Sequence, residues 1–240
     1  MTSHAILDPA EHRDLRVRPE ASAELGDEVM ACLTVPSEFR RVQNEFPILF
    51  RRDLESGSFS ALALFGFENG ENLFFEEGRW TARYRPLALA TRPFLVGRPA
   101  AADEPRQVHI DLGHARIARA GDEGIRAFDE DGRPTPYLET VAAGLTELDE
   151  GYRASGEFFA ALERYELLEP FSLDVELRDG ARNRLVGYHL INEEKLSELE
   201  TGAVAELHSG GHLMPVFMAL ASLANLAGLV ERKNRRLADG

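Results

Sequence analysis

Two histidines and an aspartate have the residue types and spacing that could bind a metal ion. His109 and Asp111 stand two residues apart within the apolar run 108–112, and alternate residues of a strand point to the same side. A histidine and a carboxylate on one face, completed by a further histidine, form the ligand set of non-haem iron oxygenases. His189 or His212 could supply that third ligand. One hypothesis is therefore a metal-dependent enzyme of the non-haem iron type that uses His109, Asp111 and His212.

A second group combines aromatic and cationic side chains that could hold a ligand. It consists of Arg79, Trp80, Tyr84 and Arg85, with Arg83 between them. Guanidinium groups and aromatic faces bind anionic or carbohydrate ligands by charge and stacking. We predict a ligand-binding surface here, although a tryptophan that closes a hairpin against the core explains the same residues.

Other motifs that often carry catalysis are incomplete. The stretch His208-Ser209-Gly210-Gly211-His212 has histidines at helical i, i+4 spacing, but its two glycines make a helix there unfavourable. No Gly-x-Ser-x-Gly nucleophile motif occurs. We therefore predict no catalytic residue outside the metal hypothesis and no cofactor, and we favour a protein that is not an enzyme.

The charge of the chain excludes nucleic acid as a partner. Its 240 residues include 27 Lys and Arg against 41 Asp and Glu, a net charge of −14. Most of the excess lies in residues 101–210, which hold 24 acidic and 11 basic residues. An acidic surface repels phosphate backbones. The expected partner is instead a protein or a surface polymer.

The cysteine content and the N-terminal residues indicate where in the cell the protein is located. The single Cys32 cannot form an internal disulfide and fits a small core residue. The first 20 residues contain no apolar segment of the kind that begins a Sec signal peptide. We expect a cytoplasmic protein, or one that reaches the cell surface by another route.

The elements that would position these residues predict an α+β fold. Short apolar runs separated by Gly, Pro and Asn turns predict a strand-rich, mostly antiparallel N-terminal half, packed with a helix-rich C-terminal half. Residues 1–26 are predicted to form an extended arm, and residues 27–240 a single domain with a possible internal boundary near 120–135.

Three local patterns give sharper expectations. The Asn69-Gly70 turn predicts a hairpin between strands at 59–67 and 73–75. The 4-3 spacing of apolar residues from Tyr137 to Leu162 predicts amphipathic helix, which we expect Gly151 and Gly156 to divide in two. Asn192 is predicted to cap a short helix.

The segment from Leu213 to Val230 contains 18 residues without a charge and is followed by a basic cluster. This meets the lower length limit for a transmembrane helix. Ser222, Asn225, Pro215 and several alanines argue against insertion. We therefore expect a helix buried in the core or in an interface, with membrane contact as the alternative. Oligomeric state is left open.

The order and spacing of several short motifs resemble the bacterial SapC family over most of the chain. The motifs are His12-Arg13-Asp14-Leu15, Val35-Pro36 with Glu38-Phe39, Phe46-Pro47-Ile48, Gly70-Glu71-Asn72-Leu73-Phe74, Gly78-Arg79-Trp80, Arg92-Pro93-Phe94 and Ser222-Leu223 with Asn225. The resemblance implies an accessory protein associated with bacterial surface layers. It supplies no catalytic residues, and it therefore favours a binding or adaptor role over an enzyme.

Overall fold

A computed structural model describes residues 3–76, 78–97, 107–118 and 124–239. The fold is α+β, as predicted, with antiparallel sheets mainly in the N-terminal half and a helix-rich C-terminal half. Of the residues that the structure describes, 37% are helical and 25% lie in strands.

The strands are short except for the last two, which form a long hairpin. They are β1 His4–Ile6, β2 Arg16–Val17, β3 Ala31–Thr34, β4 Ile48–Arg52, β5 Phe59–Leu64, β6 Phe75–Glu76, β7 Arg79–Trp80, β8 Phe94–Val96, β9 Val108–Asp111, β10 Ile125–Arg126, β11 Leu168–Glu176 and β12 Arg182–Ile191.

Helices range from single turns to one of eight turns. They are α1 Phe39–Val42, α2 Leu87–Ala90, α3 Pro136–Arg164, α4 Glu193–Ser197, α5 Thr201–Ser209, α6 Leu213–Ser222 and α7 Asn225–Asp239. Short 3₁₀ turns at Ala23–Leu25 and Pro36–Glu38 complete the set.

The chain divides into two compact units that are each discontinuous in sequence. Unit 1 comprises Met1–Asp27 and Leu87–Glu150, and unit 2 comprises Glu28–Pro86 and Gly151–Gly240. Helix α3 supplies residues to both units. The single domain over residues 27–240, with an internal boundary near 120–135, stays a prediction.

Unit 1 contains two small antiparallel sheets, of order β1-β9-β8 and β10-β2. The N-terminal residues predicted as an arm supply β1 and β2 to these sheets. Arg116, which is 1% exposed, fixes this segment further because its guanidinium donates to the carbonyls of Arg18 and Glu20 and pairs with buried Asp27. The core packs apolar side chains of these strands against the first part of α3, including Val17, Phe94, Ile110, Phe128, Leu138, Val141 and Leu145.

Unit 2 is built on a five-stranded antiparallel sheet of order β11-β12-β4-β5-β3. The central strand β4 is buried on both faces at Ile48, Leu49 and Phe50. The Phe50 ring lies 5.6 Å from that of Phe159 and 6.4 Å from that of Phe158, both on α3. Helix α6 contacts β4 and β12, so both α3 and α6 contribute to the core of this unit.

Helix α3 runs unbroken through both glycines that we expected to divide it. The hydroxyl of Ser155 donates to the carbonyl of Gly151 inside the helix at 2.7 Å instead of capping a second helix. A Cβ on Gly151 would lie 2.5 Å from a methyl carbon of Val35. Gly151 therefore serves a close approach between α3 and the residue that follows β3, which local sequence does not reveal.

The predicted hairpin around Asn69-Gly70 is wrong in its pairing. The turn exists, with Gly70 at φ 79°, but β5 pairs with β3 and β4. Strand β6 pairs instead with β7, across a turn at Gly78. The two apolar runs each overlap a strand, β5 or β6, but the partner of β5 is decided by contacts that are distant in sequence.

Candidate functional site

The metal-ligand residues predicted from the sequence lie in different units. His109 is on β9 in unit 1, and its ring covers Gly97, where a Cβ would lie 2.1 Å from the ring nitrogen Nε2. Asp111 ends the same strand and accepts hydrogen bonds from the backbone N–H groups of Ser3 and Gly113 at 3.2 and 3.0 Å. Both side chains thus have local structural contacts.

His212 precedes α6 in unit 2, with its ring 5.9 Å from that of Phe158. His189 is on β12, where its ring meets that of Phe59 edge-on at 5.0 Å. Within the described ranges, no group of three or more His, Cys, Asp or Glu side chains is arranged to hold a metal ion. The iron hypothesis therefore gains no geometric support.

Trp80 lies in an aromatic cluster of unit 2. Its ring is 5.8 Å from Phe65, 6.0 Å from Phe46, 6.1 Å from Phe74 and 5.6 Å from Phe75. Its indole N–H donates to the carbonyl of Tyr84 at 3.2 Å. These contacts match the hairpin-closing role that competed with ligand binding in the sequence.

The neighbours of Trp80 also have internal partners. The hydroxyl of Tyr84 donates to buried Glu38 at 2.6 Å, and the guanidinium of Arg41 lies 5.2 Å from the Tyr84 ring centre. Arg85 is half-buried, whereas Arg79 is exposed on β7. A ligand on this cluster stays a prediction, with Arg79 as its most accessible group.

The basic cluster after the uncharged segment is held largely inside unit 2. Lys233 is 7% exposed and its Nζ lies 2.5 Å from Oε1 of Glu71. Arg232 donates to Glu76 at 3.0 Å, and Arg236 donates to the backbone carbonyl of Asn72 at 2.9 Å. Helix α7 thereby binds the turn after β5 and the β6–β7 hairpin. Most of the basic side chains in this cluster are therefore paired with groups of the protein itself.

The polar residues of the uncharged segment have matching internal roles. Ser222 is fully buried, and its hydroxyl accepts the N–H of Ile48 at the start of β4 at 2.8 Å. The side chain of Asn225 donates to the carbonyl of Gln43 at 2.8 Å. The Ser222 bond, together with buried Val216 and Ala219, defines the inward face of α6, and the Asn225 bond holds the start of α7.

The opposite face of α6 is apolar and exposed. Met214 and Phe217 are 56% and 54% exposed, and Ala221 continues the same face at helical spacing. Ala224, in the turn between α6 and α7, is also exposed. We call these four residues the α6 face. Only 22% of the most apolar 18-residue window in 213–238 is buried, and this stretch could span a membrane by length and composition alone. The expectation of a buried helix is thus met on one side of α6 only.

A groove of about 340 Å³ lies beside the start of α6. Ala160, Ala161 and Leu207 give it an apolar lining, and His212 stands at its α6 end. Glu206 accepts the hydroxyl of Tyr165 and pairs with Arg164 at 2.9 Å. This hydrogen bond raises the pKa of Tyr165. Glu157 also lines the groove and is exposed.

The segment that leads into α6 is acidic. Residues 193–206 contain five glutamates and one lysine. Glu193, Glu194, Glu198 and Glu200 are exposed. Lys195 is paired with Glu166 at 3.4 Å. An uncharged, exposed helix face thus follows an acidic segment. The apolar stretch is visible in the sequence, but which of its faces is exposed is not.

Comparison with known proteins identifies a family for the chain. No curated protein and no solved structure matches it. The SapC family model matches residues 7–229 of the 240-residue chain. The match covers both units, including the α6 face and the motifs from which the resemblance was drawn. The protein therefore belongs to the SapC family.

Proposed function

We propose that this SapC-family protein is a non-enzymatic accessory protein that binds a partner protein through the α6 face. The proposal includes an adaptor role that is associated with the bacterial surface layer. The protein would perform this role either in the cytoplasm or at the cell surface. This part of the proposal rests on the association that the family resemblance implies.

The observation that carries the proposal is the exposure of Met214 and Phe217 on a helix whose other face is fixed in the core. Contiguous exposed apolar side chains mark interaction sites more often than isolated ones do. Complete burial of a side chain of this size contributes about 1.5–3 kcal/mol, so covering the exposed half of each contributes about 1 kcal/mol. A few well-packed side chains near the centre of an interface carry most of its binding energy.

The internal engagement of the polar groups near α6 supports binding to a protein rather than insertion into a membrane. Ser222 and Asn225 bond to the chain itself, and three of the basic residues of α7 do the same. Insertion of this stretch as a transmembrane span would break these contacts and leave Lys233 without Glu71.

Crosslinking in the native cell tests the proposal. A photo-reactive side chain at Ala221, between Phe217 and Ala224 on the α6 face, should crosslink to a defined partner protein. The double variant Met214→Ser, Phe217→Ser should abolish that product. Leu54→Ser removes an apolar side chain that is 95% exposed on the β4–β5 loop, and it should leave the product unchanged. Equal crosslinking in all variants would refute the proposal.

A further inference from the structure

We infer that the occupant of the α6 face is a cationic amphipathic helix of a partner protein. This inference rests on the proposed function and specifies the chemistry of its partner. Three features of unit 2 carry it: the shape of the α6 face, the charge of the segment that precedes it, and the composition of the groove at its start.

The α6 face has the dimensions and side-chain sizes that accept a helix. From Met214 to Ala221 it is about 10 Å long, which is close to two helical turns, and Ala224 follows in the turn after α6. Ala221 and Ala224 are small, so a partner backbone can approach closely there, while Met214 and Phe217 project from the first half. A helix with one apolar stripe packs on such a surface by placing its side chains between these two large residues and over the two small ones.

The charge of the segment that precedes α6 favours a positive partner, and α5, the last helix of this segment, contacts α6. Residues 193–206 contain five glutamates and only one lysine, Lys195, which is already paired with Glu166. Glu193, Glu194, Glu198 and Glu200 take part in no ion pair among the residues that the structure describes. Lysine or arginine residues on the polar side of a docked helix would be attracted to this segment. Complementary charge of this kind accelerates association and excludes acidic partners.

The groove beside the start of α6 suits a long cationic side chain. Its apolar lining of Ala160, Ala161 and Leu207 would cover an aliphatic stem. The exposed carboxylate of Glu157 could meet the charged end. Arg164 also lines the groove but is neutralised by Glu206. The groove thus adds a carboxylate near His212, the residue that precedes α6.

The same charges disfavour two other occupants of the α6 face, an anionic lipid surface and a second copy of the chain. An anionic lipid surface would be repelled by residues 193–206, and Arg232, Lys233 and Arg236 are held by unit 2. A second copy of the chain would bring an identical acidic segment and a net charge of −14 to the interface. A cationic helix alone satisfies both the apolar face and the acidic segment.

A titration with synthetic peptides tests the inference on the full chain. The probe is an amphipathic helix of about five turns, made of leucine and lysine at helical spacing. One control peptide replaces every lysine with glutamate, and a second has the same composition in scrambled order. We expect the leucine–lysine helix to bind at least about tenfold more tightly than either control. Comparable binding of the scrambled peptide would show mere attraction to an acidic protein and would overturn the inference.

Variants of the protein locate the site. Met214→Ser with Phe217→Ser should weaken binding about tenfold or more, whereas Leu54→Ser should not change it. Glu193→Gln, Glu194→Gln and Glu198→Gln together should weaken binding at low salt and reduce its salt dependence. All substituted side chains are exposed, and thermal melting confirms that each variant is folded. If the variants bind the leucine–lysine peptide as tightly as the unmodified chain does, the inference is overturned.

Two further measurements identify the competing occupants. Sedimentation on vesicles of equal phosphatidylcholine and phosphatidylglycerol that depends on Phe217 would assign the face to lipid. Self-association in ultracentrifugation that Phe217→Ser abolishes would assign it to a second copy. Either result overturns the inference. If crosslinking at Ala221 succeeds in the cell while the leucine–lysine peptide fails to bind, the proposed function stands and only the partner's chemistry is wrong.

Discussion

At the residue scale, the hydroxyl of Ser222 shows how one polar atom fixes the orientation of α6. The residue is fully buried, accepts the N–H of Ile48 at 2.8 Å and donates to the carbonyl of Ala219 at 2.5 Å. Ile48 is 1% exposed. Without the Ser222 hydroxyl, its buried N–H would lose this acceptor. The bond thereby turns Met214 and Phe217 to the opposite, outward side.

Replacing Ser222 with alanine should destabilise the protein by about 1–3 kcal/mol, the cost of a buried unpaired donor. Ser209→Ala is the matched control, because its exposed hydroxyl bonds only to the carbonyl of Glu206 within α5. That change should stay within about 0.5 kcal/mol. Denaturant unfolding measures both. Equal effects from the two substitutions would contradict the role assigned to Ser222.

At the element scale, α3 contains two glycines in different environments that sequence alone does not distinguish. A Cβ on Gly151 would lie 2.5 Å from Cγ2 of Val35 and 2.8 Å from Oγ of Ser37, while a Cβ on Gly156 would meet nothing within 4 Å. Valine is stiff at χ1 and cannot easily move away. The first glycine is therefore required by packing, and the second only weakens the helix.

The same substitution should have opposite effects at these two positions. Gly156→Ala should stabilise the protein by about 0.5–1 kcal/mol, because alanine loses less backbone entropy in a helix. Gly151→Ala should destabilise it by about 1–3 kcal/mol through overpacking. Denaturant midpoints of the two single variants provide the measurement. Changes of the same sign would contradict the close approach of α3 to Val35.

Elements that depend on local chemistry were predictable, and those that depend on distant contacts were not. Asn192 caps α4 as expected, with its side chain accepting the N–H of Lys195 at 2.8 Å. The partner of β5, the continuity of α3 at Gly151 and the pairing of β12 with β4 all depend on residues far away in sequence.

The candidate site was also predictable only where it depends on local sequence. The uncharged stretch 213–230 was visible in the sequence, and so was the acidity of residues 193–206. Because the stretch is apolar on all sides, its pattern could not show which face packs inward. The contacts of Ser222 with β4 and of Asn225 with Gln43, the residue after α1, decide this.

At the scale of the whole molecule, each unit contains a histidine whose pKa is lowered by burial. Burial lowers the pKa of His114 in unit 1, and the nearby charges of Arg116 and Arg92 lower it further. Burial, followed by the charge of Arg52, lowers the pKa of His189 in unit 2. The Nδ1 atom of His189 is buried without a hydrogen-bond partner in the part of the chain that the structure describes.

These two shifts give the protein a predicted loss of stability on mild acidification. Both folded-state pKa values lie below the ordinary value of 6.5, so the unfolded chain binds more protons as the pH falls through that value. The free energy of unfolding should therefore be highest above about pH 6.5 and should decrease toward pH 5. Carboxylates act in a lower range, because the pKa values of Glu68 and Asp53 are shifted down from 4.5 and 3.8.

His189→Phe combined with His114→Asn should flatten this dependence. Phenylalanine keeps the edge-on contact with Phe59 and removes the unpaired nitrogen, while the asparagine oxygen can accept the N–H of Arg116 that now bonds to Nδ1 of His114 at 3.1 Å. Urea unfolding at intervals from pH 7.5 to pH 5 measures the slope. Asp53→Asn is the control, since it removes a group that titrates only below this range. If the double histidine variant loses as much stability between pH 7 and pH 5 as the unmodified chain, the acid sensitivity must come from groups other than these two imidazoles.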